Sequence, residues 1–247
     1  MHRAKQAALL IGTIADWPRA VVDLVRTPRE TDYRTRRGVR VRCRTRTTDL
    51  AEVVVIHSGS EYPPELLGLQ DGDAVIDLGA NIGAFATFVH ALNGDVDYKG
   101  HAIEPNPANH PLLERNLQGT RFSVHQLAVG PVDGQARFQT GGLPLDEAHL
   151  DEQGDLLVDS SRLETLLERN EIPRVALLKI DIEGSEYDLI ERELTTLANQ
   201  VERILLEWHP LPSRTCDDLR SSLAPHYETE VLSSREGRSG VLYATRR

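Results

Sequence analysis

From residue 74 onward, the chain alternates short apolar runs with amphipathic helical segments. Apolar runs at residues 74–78, 101–103 and 175–180 are each followed by a turn and a helical segment. Such alternation is typical of parallel strands joined by crossover helices, with helices covering both faces of the sheet. Runs at residues 227–232 and 241–245 flank a turn rich in Ser, Gly and Arg, which predicts a terminal antiparallel hairpin. The sequence therefore predicts an α/β domain with a mainly parallel sheet.

The charge of the chain is segregated. The first 50 residues hold 12 basic and 5 acidic residues, although the whole chain of 247 residues has a net charge of −10. Helical segments at about residues 4–15 and 18–27 open this basic part. They are too short to span a bilayer, and no small-residue cleavage site follows them, which disfavours a membrane span and a signal peptide. We predict a cytoplasmic protein with a helical and β-strand appendage, residues 1–50, and a main domain, residues 51–247.

A strict alternation within the appendage predicts a half-buried strand. At residues 39–47, apolar residues alternate with arginines. The arginines on the polar face are Arg40, Arg42, Arg44 and Arg46. A second apolar run, residues 53–56, is expected to pair with this strand. The arginine face has two interpretations: salt-bridge partners for the acidic domain, or a site for an anionic substrate or RNA.

The appendage also leaves its own role open. It is interpreted as a lid packed on the main domain, or as a surface for a partner, including a second copy of the chain. The overall acidity disfavours a general phosphate-backbone binder, so nucleic acid is the less favoured partner.

The most informative motif joins the first strand of the main domain to its helix. The apolar run is followed directly by DLGANIG, residues 77–83. In a parallel sheet, ligands bind at the carboxyl ends of the strands. Gly79 permits a turn without a Cβ in the way, whereas Asn81 stands where a dinucleotide fingerprint needs its second glycine. A pyrophosphate loop is therefore disfavoured, and Asp77 suits a cationic or hydroxylated ligand.

A second carboxylate lies at the end of the next strand. Glu104 follows the run at residues 101–103, and a carboxylate at that position accepts hydrogen bonds from ribose hydroxyls in nucleotide sites. Pro105 and Asn106 stop the strand and are placed to line an adenine pocket. Asp77 alone fits a strand-end cap and Glu104 alone fits a surface residue, but their joint order at successive strand ends indicates a nucleoside-containing ligand.

Together these features resemble the class I S-adenosylmethionine-dependent methyltransferases, and specifically the FkbM family. The matching stretches are residues 75–83, 102–107, 127–130, 177–186 and 204–209. The motif DIEG, residues 181–184, is the most specific of them, and residues 1–50 are not covered. The resemblance implies a Rossmann-like fold with a mainly parallel seven-stranded sheet, helices on both faces and an antiparallel C-terminal hairpin.

The resemblance also implies which residues bind S-adenosylmethionine. They are Tyr62, Asp77, Gly79, Asn81, Gly83, Glu104, Pro105, Asn106, Ala128 and Asp181. Within this set, the residues of the glycine loop (residues 77–83) are implied to hold the methionine moiety. Glu104 is implied to hold the ribose, and Ala128 to line the adenine with the two residues that follow Glu104. Tyr62 is implied to close over the cofactor, with an ordinary core aromatic as the alternative.

Catalytic candidates follow two further strands of the sheet. They are Lys179, Asp181, Glu183, Glu207 and His209. Lys179 interrupts an apolar strand in a chain that has only three lysines, and a buried lysine needs a carboxylate partner. It is interpreted as a structural ion pair or as a group that orients the substrate. His209 titrates near neutrality and is a candidate general base for a hydroxyl acceptor.

A metal ion remains an alternative at the same strand ends. The candidate ligands are Asp181, Glu207 and His209, with Glu183 nearby. Oxygen and nitrogen ligands of this kind hold Mg²⁺ or another divalent ion that acidifies a hydroxyl, but the spacing is not diagnostic.

The predicted function is O-methylation of a small-molecule hydroxyl, on a sugar, nucleoside, polyketide or other natural product, by in-line methyl transfer. An RNA methyltransferase that uses the arginine strand is the alternative. The acidic segment at residues 141–159 is interpreted as a lid over the site or as a solvated loop.

Overall fold

The N-terminal part of the protein forms a β-ribbon flanked by helices. The computed structural model describes residues 2–139, 149–150, 154–234 and 239–247. Its first elements are helices α1 (His2–Thr13) and α2 (Trp17–Asp23), strands β1 (Glu30–Arg34) and β2 (Arg40–Arg44), and helix α3 (Asp49–His57). β1 and β2 pair in antiparallel orientation. Val41 and Cys43 of β2 are buried between more exposed arginines, which confirms the predicted half-buried strand.

The rest of the chain builds the main sheet and its covering helices. In chain order its elements are a 3₁₀ helix (Pro64–Leu66), β3 (Ala74–Leu78), α4 (Ala84–Leu92), β4 (Lys99–Ile103), α5 (His110–Leu117), β5 (Phe122–His125), β6 (Ala128–Val129), β7 (Gly134–Gln139), β8 (His149–Leu150), β9 (Leu156–Ser161), α6 (Leu163–Arg169), β10 (Leu177–Ile180), α7 (Glu186–Gln200), β11 (Arg203–Trp208), α8 (Cys216–Leu223), β12 (Tyr227–Ser234) and β13 (Gly240–Arg246). Seven strands of the described chain form one sheet in the order β12-β13-β11-β10-β3-β4-β5. Only β13 runs antiparallel to its neighbours, β11 and β12. The predicted fold class is confirmed.

The order of the strands places a cleft in the middle of the sheet. From β3 the chain moves to β4 and β5 on one side, and it later returns to β10 and β11 on the other side. The strand order therefore reverses between β3 and β10, where open α/β sheets bind their ligands. β3 and β10 are wholly buried, because helices cover both faces of the sheet. The carboxyl ends of these two strands define the candidate site.

A smaller sheet, not predicted from the sequence, lies beside the main one. It has the strand order β6-β9-β7-β8, and β6 pairs with β9 through Ala128 and Ser160. Residues 140–148 and 151–153 lie outside the described residues. Most of the acidic segment interpreted as a lid or a solvated loop therefore lies outside them as well, and its C-terminal part forms β9.

The prediction of a strand at residues 53–56 is wrong, because these residues belong to helix α3. Val53, Val54, Ile56 and His57 are buried, at a spacing that fits one face of a helix rather than a strand. Acidic residues in the first turn of the helix also complement its dipole. The partner of the arginine strand is β1 instead.

The N-terminal segment shares a hydrophobic core with the main sheet. Ile14, Tyr33 and Val41 lie in the same cluster of buried residues as Val75 and Phe85. Helix α3 spans residue 50, where the sequence predicts a domain boundary. The division into two domains stays a prediction.

One side chain connects the arginine strand with the glycine loop. Asn116 of α5 accepts a hydrogen bond from the backbone N–H of Arg42 at 2.7 Å. Its amide group donates to the carbonyl oxygens of Arg42 and Ile82, at 3.0 and 2.8 Å. The backbone of β2 is therefore held against the loop that follows β3.

Two of the four predicted arginines are used in ion pairs within the N-terminal segment, whereas Arg46 lies beyond the end of β2 in a left-handed turn. Arg42 binds both carboxylate oxygens of Asp32, at 2.8 and 2.7 Å, and this contact lowers the pKa of Asp32. Arg44 binds both oxygens of the buried Asp49, at 2.9 and 3.0 Å. The two arginines are therefore used in salt bridges, but with carboxylates of residues 1–50 and not with the acidic main domain that the prediction named. Both pairs weaken the structural basis for an RNA surface on this face.

No helix among the described residues is long and apolar enough to cross a membrane. Apolar side chains are exposed on and just after α2, at Val21, Val22, Leu24 and Val25. Self-association through this segment stays a prediction.

Candidate active site at the centre of the sheet

The loops that follow β3 and β10 touch each other through the backbone. Gly79 adopts a left-handed conformation, with φ of +75°. A Cβ at this position would overlap the carbonyl oxygen of Asp181. Only glycine allows both the turn and this close approach. The glycine loop and the DIEG loop (residues 181–184) are therefore in direct backbone contact at the carboxyl ends of β3 and β10.

Lys179 is a buried cation that contacts both of these loops. Its Nζ donates a hydrogen bond to the carbonyl oxygen of Gly79 at 3.0 Å and lies 3.1 Å from Asp77 and 3.2 Å from Asp181. Burial would lower the pKa of Lys179, but the charges of Asp77 and Asp181 outweigh it and raise the pKa well above its ordinary value. Lys179 therefore stays protonated, which suits a positioning residue and not a base.

A further carboxylate, from helix α3, lies close to Lys179 and Asp181. Glu52 of α3 accepts a hydrogen bond from the side-chain amide of Asn81 at 2.8 Å. Burial, together with the charges of Asp181, Asp49 and Glu61, raises the pKa of Glu52 to about 8. The site therefore contains more carboxylates than cations.

Glu207, at the end of β11, belongs to the same acidic group. Burial, reinforced by the charges of Asp181 and Glu61, raises the pKa of Glu207 to about 8. A carboxyl group in this range exchanges protons near neutral pH, as a general base requires. Glu207 is therefore the catalytic candidate whose proton affinity best matches that role.

Glu104 is buried at the carboxyl end of β4, and its carboxylate is held by the surrounding backbone. It accepts hydrogen bonds from the backbone N–H groups of Asn81 at 2.8 Å and Asn106 at 3.0 Å. The side-chain amide of Asn109 donates a further bond at 3.3 Å. A carboxylate offers about four lone-pair directions, so Glu104 is fixed in place and still has acceptor capacity.

The remaining residues of the glycine loop have special backbone conformations. Asn81 is left-handed, with φ of +47°, and its buried Oδ1 has no hydrogen-bond partner among the described residues. Gly83 precedes α4 with φ of +88°, and a Cβ there would lie 3.0 Å from the side chain of Leu113. The loop therefore presents an acceptor without a donor beside the acidic group.

Tyr62 is fully buried against the first turn of α4. Its ring packs edge-to-face on Phe85, with 5.2 Å between the ring centroids, and Lys179 Nζ lies 5.9 Å from the same Phe85 ring. Burial and the charges of Asp181 and Glu61 raise the pKa of Tyr62 well above its ordinary value. Tyr62 therefore forms an uncharged wall of the acidic site.

The DIEG loop is held from behind by a second buried charge pair. Glu183 and Gly184 are both left-handed, with φ of +52° and +97°. The carboxylate of Glu186, fully buried, accepts hydrogen bonds from the N–H groups of Ile182 at 3.1 Å and Gly184 at 2.9 Å. His209 donates to Glu186 at 3.0 Å, and its other ring nitrogen lies 3.1 Å from Glu183.

These contacts determine the protonation state of His209. Burial would lower its pKa, but the hydrogen bond to Glu186 and the charges of Glu186 and Glu183 raise it to about 10. The imidazole is therefore protonated at neutral pH with both nitrogens engaged. This arrangement favours a positioning role for His209, while Glu207 remains available as a base.

A His209→Gln variant is expected to lose stability in a pH-dependent manner. The folded protein binds the imidazolium, and the pKa in an unfolded chain is about 6.5. The contribution of His209 is therefore fully present below about pH 6.5 and is lost as the pH rises through about 10. Thermal melting should show the largest deficit of the variant near pH 6 and a smaller one at pH 10. His226→Gln, at an exposed histidine, is the control, and a deficit in His209→Gln that is constant across this range would contradict the argument.

The structure also brings potential metal ligands together, although not the predicted set. Ligand atoms of Asp181, Glu183 and His209 all lie within 4.8 Å of one another. Among the described residues, Glu207 is not part of this cluster. A cation here would have to displace a proton from His209, which its raised pKa opposes. These residues therefore fit a charge network better than a metal centre.

Most of the predicted site residues come together at the ends of β3, β4, β10 and β11. Ala128 is buried in the smaller sheet, in β6, and Pro105 is partly exposed in the turn after β4. The sequence patterns do not predict Glu52 or Glu186. Glu186 had one signal, its position two residues after Gly184 at the start of an amphipathic helix, whereas Glu52 had none.

Comparison with known proteins agrees with this architecture. The crystal structure of methyltransferase FkbM from Methylobacillus flagellatus superimposes with a TM-score of 0.51 and 19% identity, over 79% of this chain and 53% of that chain. The hexuronic acid methyltransferase AglP of Haloferax volcanii is 24% identical over 143 residues, 57% of each chain. The 31-O-demethyl-FK506 methyltransferase FkbM of Streptomyces tacrolimicus is 29% identical over 153 residues, 48% of this chain and 58% of the relative.

The fold is that of the class I methyltransferases. A sequence profile described as the methyltransferase FkbM domain matches residues 77–232, more than half of the chain. The protein belongs to the FkbM methyltransferase family, and the predicted resemblance is confirmed. This chain aligns with 57% of the length of the hexuronic acid methyltransferase AglP and with 58% of the length of the 31-O-demethyl-FK506 methyltransferase FkbM.

Proposed function

We propose that this protein is an S-adenosylmethionine-dependent O-methyltransferase that methylates a hydroxyl group of a small molecule. The main support is the excess of carboxylates around Lys179, beside a glycine loop at the switch point of the sheet. S-adenosylmethionine carries a sulfonium and an ammonium charge, and both are favoured by such surroundings. The names of the relatives, one for a hexuronic acid and one for an O-demethylated acceptor, point to sugar or polyketide hydroxyls.

The residues at the strand ends fit this cofactor. The unpartnered Oδ1 of Asn81 and the carboxylate of Asp77 are suited to the methionine ammonium group. Glu104 has acceptor capacity for the ribose hydroxyls, and Pro105, Asn106 and Ala128 are assigned to the adenine side. When bound, S-adenosylmethionine supplies a methyl group activated by its sulfonium for in-line displacement.

The chain must align the acceptor, exclude water and remove the hydroxyl proton. We assign the proton to a carboxylate oxygen of Glu207. A cation close to a carboxylate lowers its pKa, so binding of the donor deprotonates Glu207 and prepares it as the base. Lys179 positions Asp77 and Asp181, and His209 positions Glu183 and the DIEG loop. No step in this scheme passes through a metal ion.

Titration calorimetry tests the proposal on the donor side. We expect S-adenosylmethionine to bind and to release protons near pH 7.5, seen as a heat that depends on the ionisation enthalpy of the buffer. S-adenosylhomocysteine, which lacks the sulfonium charge, should bind with less proton release. The proposal is overturned if neither S-adenosylmethionine nor S-adenosylhomocysteine binds.

Incubation with a panel of hydroxylated acceptors tests the chemical step. The panel includes hexuronic acids, neutral sugars, nucleosides and hydroxylated macrocycles, and mass spectrometry detects one added methyl group on oxygen. Turnover should be unchanged by EDTA, whereas loss of turnover that Mg²⁺ restores would establish the metal alternative. Methylation of RNA with no small-molecule product would favour the other predicted function.

A further inference from the structure

A second pocket lies in the N-terminal segment, away from the acidic site. It has a volume of about 510 Å³ and lies between α1, the turn that joins β1 to β2, and the C-terminal end of α3. The lining residues that carry its chemistry are Lys5, Thr35, Arg36, Arg37 and His57. The volume is within the range of small-molecule sites. No residue of the candidate active site lines it.

The charge of this pocket is opposite to that of the active site. Its lining includes the cations Lys5, Arg36 and Arg37, and none of the described lining residues is acidic. Within the described part of the chain, these three side chains form no ion pair with a carboxylate. Arg36 Nε donates to the carbonyl oxygen of Ile11 at 2.7 Å, and the Arg37 guanidinium stacks 5.2 Å from the Phe88 ring. These two contacts orient the arginines at the pocket.

One of the lining residues has a buried hydrogen-bond acceptor without a donor. His57 is 2% exposed, and its Nε2 lies 3.1 Å from Thr87 Oγ1. The Thr87 hydroxyl donates its proton to the carbonyl oxygen of Gly83 or Ala84, at 2.8 and 3.0 Å. Thr87 must therefore accept from His57 Nε2–H, which leaves Nδ1 as an acceptor. Burial lowers the pKa of His57 to about 4, so the ring is neutral at physiological pH.

Two buried polar atoms among the lining residues have no hydrogen-bond partner. They are Nδ1 of His57 and Oγ1 of Thr35, whose side chain is 1% exposed. Unpaired polar atoms are uncommon in protein interiors. Their presence together at one cavity, beside three cations, indicates a ligand that carries both negative charge and hydroxyl groups.

We propose that this pocket binds an anionic, hydroxyl-bearing small molecule, of the class of sugar phosphates and uronates, at a site separate from the methyl-transfer centre. The phosphate or carboxylate group contacts Lys5, Arg36 and Arg37. A ligand hydroxyl donates to His57 Nδ1, and another pairs with Thr35 Oγ1. Ala8 and Leu9 contact the apolar face of the ligand. This inference is independent of the proposed function.

Titration calorimetry on the full chain tests the proposal with glucose 6-phosphate, glucuronate, glucose and inorganic phosphate. We expect at least one of the two anionic sugars to bind at least tenfold more tightly than either glucose or inorganic phosphate. Preferential binding of glucose 6-phosphate would indicate a phosphate ligand, and preferential binding of glucuronate would indicate a carboxylate ligand. The double variant Lys5→Gln/Arg36→Gln should weaken binding at least tenfold, because both substituted side chains are exposed cations.

Two further variants separate recognition from folding. Thr35→Val removes one unpaired buried hydroxyl at nearly constant volume and should weaken binding several-fold, with a melting temperature equal to or higher than that of the wild type. Arg40→Gln, at an exposed arginine outside the pocket, should bind as the wild type does. The proposal is overturned if neither anionic sugar binds, if inorganic phosphate binds as tightly as they do, or if the double variant retains full affinity.

Discussion

A Gly79→Ala variant is expected to lose binding of S-adenosylhomocysteine and about 3 kcal/mol or more of its free energy of unfolding. The added Cβ would overlap the carbonyl oxygen of Asp181, a backbone atom that cannot rotate away. The glycine loop and the DIEG loop would have to separate, and with them the contact of Lys179 to the Gly79 carbonyl. Urea unfolding measures the stability, and titration calorimetry measures the binding.

Gly72→Ala is the matched control for the backbone conformation. Gly72 is also left-handed, with φ of +86°, but a Cβ there would meet no atom within 4 Å. Its substitution should cost only the left-handed penalty, about 1–2 kcal/mol, and leave binding intact. Equal stability losses in the two variants, with full binding in both, would show that the contact between the two loops is not needed.

A Glu207→Gln variant is expected to lose about 10²-fold or more of kcat, while its affinity for S-adenosylhomocysteine changes little. The amide keeps the shape of the side chain but cannot take the acceptor proton. The base must be deprotonated to act, and the pKa of Glu207 is about 8 in the absence of donor. In the wild type, kcat/KM for S-adenosylmethionine, which reports the free enzyme, should therefore rise with pH up to about 8 and level off above it.

The same ascending limb should be absent from the residual activity of Glu207→Gln. Glu228→Gln, at an exposed carboxylate on β12, controls for the loss of one negative charge and should keep the wild-type profile. A variant at position 207 with wild-type kcat, or with an unchanged pH profile, would remove Glu207 from the mechanism.

The sequence predicts the location of the glycine loop and of Glu104 well, because the information that places them is local. DLGANIG follows a buried strand directly, and Glu104 follows the next one, so strand–helix alternation alone places both at one edge of the sheet. The scarcity of lysine likewise singles out Lys179, which the structure buries between Asp77 and Asp181. The position of residues that belong to one short motif can be predicted with little knowledge of the tertiary structure.

Residues that reach the site from distant segments are not predictable in this way. Glu52 lies before a run of β-branched residues that has no clear period, and the run is interpreted as a strand. Packing against α4 decides in favour of a helix, and only this helix brings Glu52 to Asn81. Glu186 and His209 meet across 23 positions, through a loop whose left-handed Glu183 no pattern indicates. The strands of the smaller sheet are not predicted because two of them, β6 and β8, are only two residues long and β7 is largely exposed.

The hydrogen bonds that Asn116 makes to β2 bear on how far the sequence of the N-terminal segment can differ between relatives. Asn116 contacts β2 only through the backbone N–H and carbonyl of Arg42, groups that almost every amino acid supplies. The glycine loop therefore depends on the register of this strand and not on its side chains. Exchange of this segment between family members is therefore expected to leave the glycine loop intact wherever the backbone of the strand keeps its position beside α5.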